Sequence, residues 1–135
     1  LADGSRLPAK VTADEIYEAG KEIYRISFEA GADVRVAESD EDFFEAMKRL
    51  RLDLEKDGAL LCCFGASENV YPSGMQKSMG PAILACRTRL GSPALTKDIV
   101  NIFDTDENVI PSTVKQQRQF HERWVKSLAG PLRPE

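Results

Sequence analysis

A chain of 135 residues, 42% of them hydrophobic, has the size of one ordinary domain and enough apolar matter for one core. Its formal charge of −4 argues against a nucleic-acid binder, and no apolar run approaches the roughly 18 residues that cross a bilayer. No basic stretch followed by an apolar one marks a secretory leader, which points to the cytoplasm; because the chain opens on Leu1, whether a segment precedes it stays open.

The first eleven residues, LADGSRLPAKV, read as a loose lead-in. Residues 12–28 are ambiguous. Thr12 followed by Glu15 matches a helix capping box, with Ile16, Ala19 and Ile23 at helical spacing. Against that, Ile23, Tyr24, Ile26 and Phe28 are strand formers interleaved with Arg25 and Ser27, and Ala19-Gly20 suits a turn. The balance favours a strand over 22–28, and Val34 and Val36 flanking Arg35 suggest a second one after a turn at Gly31.

Residues 39–57 predict a helix. Ser39 is placed to cap it, Asp40, Glu41 and Asp42 suit its positive end, and Phe43, Met47, Leu50 and Leu54 form one apolar stripe that Gly58 stops. The run ALLCCF at 59–64 is apolar without alternation, which predicts a central strand covered on both faces. Further strands are expected over 82–89 and 98–104, and a last helix opens at Pro111-Ser112 with Val114, His121, Trp124, Val125 and Leu128 inward. The expected architecture is one α+β domain: a mainly antiparallel or mixed sheet with two principal helices packed on it, and loose ends at 1–11 and 131–135.

Charge divides the chain. Residues 29–57 carry ten acids and five bases, whereas 69–97 carry no acid and four bases, Lys77, Arg87, Arg89 and Lys97. Such asymmetry is either ordinary solubilising charge or a face that steers a charged partner. Cys62, Cys63 and Cys86 have no metal-ligand spacing and read as free thiols of a reducing compartment. No metal and no cofactor is expected. His121, beside Phe120 and near Trp124, reads as a structural histidine at the core edge rather than a general base.

The stretch 65–80, GASENVYPSGMQKSMG, interrupts the hydrophobic pattern with sixteen mostly polar and small residues. Long loops in compact domains are functional or disordered, and Val70, Tyr71, Met75 and Met79 speak against disorder. Pro72-Ser73-Gly74 is a good turn. Backbone N–H groups near Gly74 and Gly80, with Asn69, Ser73, Lys77, Ser78, Arg87 and Arg89, could cradle an anion in a small enzyme or ligand-binding domain. Two alternatives stand beside this. Tyr71, Met75 and Met79 could simply pin the loop to the sheet, or they could offer an adaptable protein-binding surface.

From the first helix through NVYPSGM, SMG and DIVNIFD, residues 43–104 and the Trp124 helix, the chain resembles a group of small bacterial proteins. In these a helix, a hydrophobic strand and a GxxxNVYPSGM…MG loop precede a strand ending in IFD. Such proteins lie beside polymorphic or contact-dependent growth-inhibition toxins, where they would act as immunity proteins. The resemblance implies a cofactor-free cytoplasmic protein that neutralises a cognate toxin by occluding its active site, with no nucleic-acid or membrane partner. The shared stretch is Asn69, Val70, Tyr71, Pro72, Ser73, Gly74 and Met75. An inhibitor of a basic active site presents carboxylates, and the candidates are Asp33, Glu38, Asp40, Glu41, Asp42 and Glu45, with Asp104, Asp106 and Glu107 as an extension.

Overall fold

The computed structural model describes residues 6–74, 76 and 82–129. The fold is α+β, with all of its strand pairs antiparallel. The strands fall into two three-stranded sheets rather than one. The first is a meander of β1 (Lys10–Glu18), β2 (Lys21–Ala30) and β3 (Asp33–Ser39). Helix α1 (Phe43–Glu55) follows. The second sheet holds β4 (Val70–Tyr71), β5 (Leu84–Arg87) and β6 (Ile99–Asn101), and helix α2 (Val114–Ala129) closes the described chain. Among the described residues no helix is long and apolar enough to cross a membrane.

Residues 12–18 are therefore strand, and the lead-in is shorter than its composition suggests, since Lys10 and Val11 already pair with Glu29 and Phe28. The deciding feature is the two-residue turn at Ala19-Gly20. Both residues have positive φ, +52° and +79°, as a hairpin turn matched to strand twist requires. Glycine adopts this freely, whereas Ala19 is held there against its preference by the nine register pairs below it.

The first sheet buries one face. Ile26 and Phe28 of β2 are in the core, with Tyr24 and Ala37 against it, while Arg25, Val34, Val36 and Glu38 lie on the opposite, open face. Helix α1 fills the space between the sheets. Its cap is Asp42, not Ser39: the Asp42 carboxylate accepts the Glu45 N–H at 2.7 Å, while Ser39 Oγ accepts the Glu41 N–H one turn earlier. The first two helical residues then point to different sheets. Phe43 meets Tyr24 edge-on with ring centroids 5.1 Å apart, and Phe44 meets Tyr71 likewise at 5.1 Å.

The run 59–63 forms no strand ladder among the described residues. Gly58, at φ +75°, ends α1, and Ala59 bonds back to Leu54. Pairing resumes only where Phe64 and Gly65 donate to the carbonyls of Asp104 and Ile102, in a 3-10 turn spanning Phe64–Ala66. The apolar character is real, because Leu61 and Phe64 are core residues, yet the segment joins the core without a strand ladder of its own.

A polar hub locks this arrangement. The Arg51 side chain, 2% exposed, emerges from α1 among apolar neighbours. Its Nη1 donates to Gln117 Oε1 at 2.6 Å and to the Gly65 carbonyl at 3.2 Å, and Nη2 donates to the Ser112 carbonyl at 2.9 Å. Gln117 of α2 in turn donates Nε2 toward the carbonyls of Gly65, Ser67 and Val70, at 2.9 to 3.0 Å. Glu55 accepts the first N–H of α2, from Val114, at 2.8 Å. Burial pushes the guanidinium pKa down to about 10, with the Glu55 charge opposing the drop.

Two outcomes follow for unfolding in urea. Gln117→Leu removes the side-chain donor to the Val70 carbonyl and the Oε1 acceptor of a buried cation, and should cost about 3 kcal/mol. Arg51→Met with Gln117→Leu together should cost less than the sum of the single changes, because the hub fails as a unit. Gly65 tests packing separately. A Cβ there would collide with Met47 Sδ and stand 2.9 Å from the Ile102 Cβ, so Gly65→Ala should cost about 1–3 kcal/mol.

Candidate functional site

Two surfaces gather the residues singled out in the sequence. The first lies at the end of the first sheet, where the β1–β2 hairpin runs past α1. Register places Glu15 opposite Tyr24 and Tyr17 opposite Glu22, so Glu15 and Glu22 are diagonal neighbours on one face. Tyr24 donates its hydroxyl to Glu22 Oε1 at 3.1 Å. The Glu15 carboxyl is held above its ordinary range, first by its hydrogen bond with Glu22, then by desolvation and the Glu22 charge. Burial pushes the Tyr24 hydroxyl up, assisted by its hydrogen bond to Glu22 and by the charges of Glu22, Glu15 and Asp42. Tyr17 stands out beside them, 76% exposed.

The six predicted acidic residues are not one face. Asp40 and Glu41 are exposed in the β3–α1 connection, close to this end, and among the described residues neither sits in an ion pair. Asp42 is 3% exposed and spends its carboxylate on the helix cap. Glu45 pairs with Lys48 at 3.0 Å, one turn along α1. Glu38 lies on the open face and is bound by Arg25, which also approaches Glu18 at 3.8 Å. Asp33 sits at the far end of β3, where Arg35 grips both its oxygens at 2.9 and 3.0 Å and also reaches Asp53 and Asp57. That guanidinium holds the Asp33 carboxyl below its usual range. Asp104, Asp106 and Glu107 are exposed on the turn that leads from the second sheet toward α2.

Glu15, Tyr17 and Glu22 were not singled out from sequence. The signal was present, since a two-residue turn at Ala19-Gly20 fixes the pairing of 15–18 with 21–24, but it was masked by the helical spacing of the same stretch.

The second surface is the loop. Asn69 is occupied structurally: its Oδ1 accepts from Ser67 Oγ at 2.8 Å, and its carbonyl accepts both the N–H and the hydroxyl of Thr88. Tyr71 stacks on His121 with centroids 4.1 Å apart and planes 14° apart, and Trp124 continues the column while donating Nε1–H to the Ser92 carbonyl. Ser73 and Gln76 cap one another reciprocally, at 2.8 and 3.0 Å. Gly74 is exposed, with open space where a side chain would be. Arg87 turns its guanidinium over the Phe64 ring at 5.8 Å, and Arg89 is exposed on the following bend. Met75, Lys77, Ser78, Met79 and Gly80 lie outside the described residues. Tyr71 thus pins the loop to both helices, through Phe44 of α1 and His121 of α2.

Among the described residues no group of three or more His, Cys, Asp or Glu side chains is placed to hold a metal ion. Cys62, Cys63 and Cys86 are free thiols. Compared with known proteins, the chain matches no family model and no curated protein.

The thiols differ in environment. Burial pushes Cys63 up to about 11, and its Sγ rests 3.9 Å from Met47 Sδ, whereas Cys62 lines an open cleft. In the folded protein at pH 8, iodoacetamide should modify Cys62 well before Cys63, which should react fully only in urea; peptide mass spectrometry reads the order.

Proposed function

We propose that this protein works by binding another protein, and that it is an immunity protein which neutralises a cognate bacterial toxin in the cytoplasm by covering its active site. The observation that carries the reading is the pairing of Glu15 and Glu22 beside Tyr24 at the end of the first sheet. The hydrogen bond with Glu22, then desolvation and the Glu22 charge, raise the folded-state pKa of Glu15, so bringing the two carboxylates together works against folding at neutral pH. An arrangement that opposes stability is explained when a basic partner surface relieves it. Tyr17, exposed beside the cluster, supplies the rigid aromatic contact that such interfaces favour.

The neighbouring geometry supports protein contact in the same place. The β1–β2 hairpin offers a long edge strand, and Asp40 and Glu41 extend the negative charge toward α1. A toxin whose catalytic cleft is positively charged would be drawn to this end by long-range attraction and then sealed by the arm.

The sign of the electrostatics makes the reading testable on stability and binding together. Because the Glu15 pKa is raised, the stability it confers is fully present below its ordinary value near 4.5 and is lost as pH rises through its folded value. Glu22→Gln removes the repulsion. It should raise the melting temperature at pH 7, and the gain should vanish near pH 4. The same substitution, or Glu22→Lys with Glu41→Lys, should slow association with the partner about tenfold at low salt. The partner is obtained by capture on the immobilised wild-type chain from lysate of the source organism. A stoichiometric protein that arrests growth when expressed alone, and is neutralised by co-expression of this chain, supports the proposal. Equal capture by the charge-reversed chain would exclude this face, and a captured protein without toxicity would exclude the immunity role.

A further inference from the structure

We propose that a second site, independent of the acidic arm, binds a free fatty acid of medium chain length, with its carboxylate on Arg6 and its acyl chain in the cleft between β2, the end of α1 and residues 58–62. The cleft holds about 580 Å³, within the range of small-molecule sites. Its walls are Leu7, Phe28, Leu54, Leu60, Leu61 and Pro111, with small residues between them. Such walls suit a methylene chain, which has no polar atoms to satisfy; a peptide laid along the same walls would bury amides needing partners.

Three polar side chains line the cleft, and their states differ. Asp33 has both oxygens taken by Arg35. Cys62 contributes a thiol, a weak acceptor. Arg6 is exposed, and among the described residues its guanidinium makes one hydrogen bond, from Nη1 to Cys62 Sγ at 2.8 Å. Its remaining N–H groups are open to a carboxylate in the bidentate geometry that guanidinium favours. The part of the cleft wall that Asp33 forms selects orientation. Asp53 and Asp57 share Arg35 with Asp33, so three carboxylates face one cation next to Gly58. An anionic headgroup is repelled there and drawn to Arg6, leaving the apolar tail to run past Leu60 and Leu61 toward Leu54.

The test uses the full chain and sodium laurate below its micelle-forming concentration. Calorimetry should give saturable 1:1 binding. Arg6→Gln should weaken it at least tenfold, and Ala9→Trp, at an exposed position on the cleft rim, should abolish it without lowering the melting temperature. Laurate should also slow iodoacetamide modification of Cys62 in the wild-type protein and leave Cys86 unaffected. Dodecanol should bind at least tenfold more weakly than laurate. The proposal is overturned if no saturable binding and no Cys62 protection are seen, or if Arg6→Gln binds as tightly as wild type. It is also overturned if dodecylammonium binds better than laurate, which would make the Asp33, Asp53 and Asp57 side dominant. Tighter binding of a capped peptide of alternating valine and threonine would reassign the cleft to strand addition. None of these readouts involves the toxin or the acidic arm, so this site stands or falls apart from the immunity role.

Discussion

The fold is organised by a positive charge that water does not reach. Arg51 lies on the core-facing side of α1, where burial disfavours its charged form and pulls its pKa down to about 10. The guanidinium ties α1 to the turn at residues 64–66 and to the entry to α2 at once. Gln117 completes it by collecting three carbonyls from a segment that makes few ladder bonds of its own. An apolar residue at position 51 would pack, but it would take from the Ser112 carbonyl and Gln117 Oε1 the donors that Arg51 gives them. The second sheet is short, with strands of two to four residues, and it relies on this hub for its position.

The two halves of the molecule consequently have different mechanical characters. The first sheet is long and held by register, and its outer end extends past the helix that covers its base. The second is held by side chains: the Arg51 hub, the Tyr71–His121–Trp124 column and the cap formed by Ser73 and Gln76. Most of the resemblance-bearing loop belongs to this second half, and its described residues are largely engaged in holding the fold. The surfaces that remain uncommitted, the acidic arm and the cleft beside Arg6, belong to the first half or its border.

Much of this was legible in the sequence where one signal acted alone. The apolar stripe of α1, the stop at Gly58, the strands around 22–28 and 34–36 and the last helix each follow from periodicity and capping. Reading failed where two signals competed. Residues 12–18 carry helical spacing and a capping box, yet tertiary pairing with β2 overrides both. The run 59–64 has strand composition, but a buried segment can satisfy its apolar side chains against a helix without a ladder. Ser39 and Asp42 are both good caps, and only the position of Phe43 against Tyr24 decides between them. The hub was signalled by a charged residue one place beyond Leu50, on the edge of the apolar stripe, and its partner Gln117 is invisible until the chain has folded. The acidic candidates were legible as residue types but not as an assembly, because strand register and ion pairing separate Asp33, Glu38 and Glu45 from Asp40 and Glu41.

The distance along the chain between Arg51 and its partners has a consequence for synthesis. The meander and α1 are complete once residue 55 has been made, and all of their strand contacts are between neighbours in sequence, so this half can assemble while the remainder is still being translated. Its cation then waits for Ser112 and Gln117, 61 and 66 residues further on. Until they arrive, Arg51 cannot be sealed into the interior, and α1 cannot settle fully against its final neighbours. A chain broken off before α2 is thus left with an ionic defect at its centre rather than a smaller stable protein. The buried cation makes completeness of the polypeptide a condition for the native state.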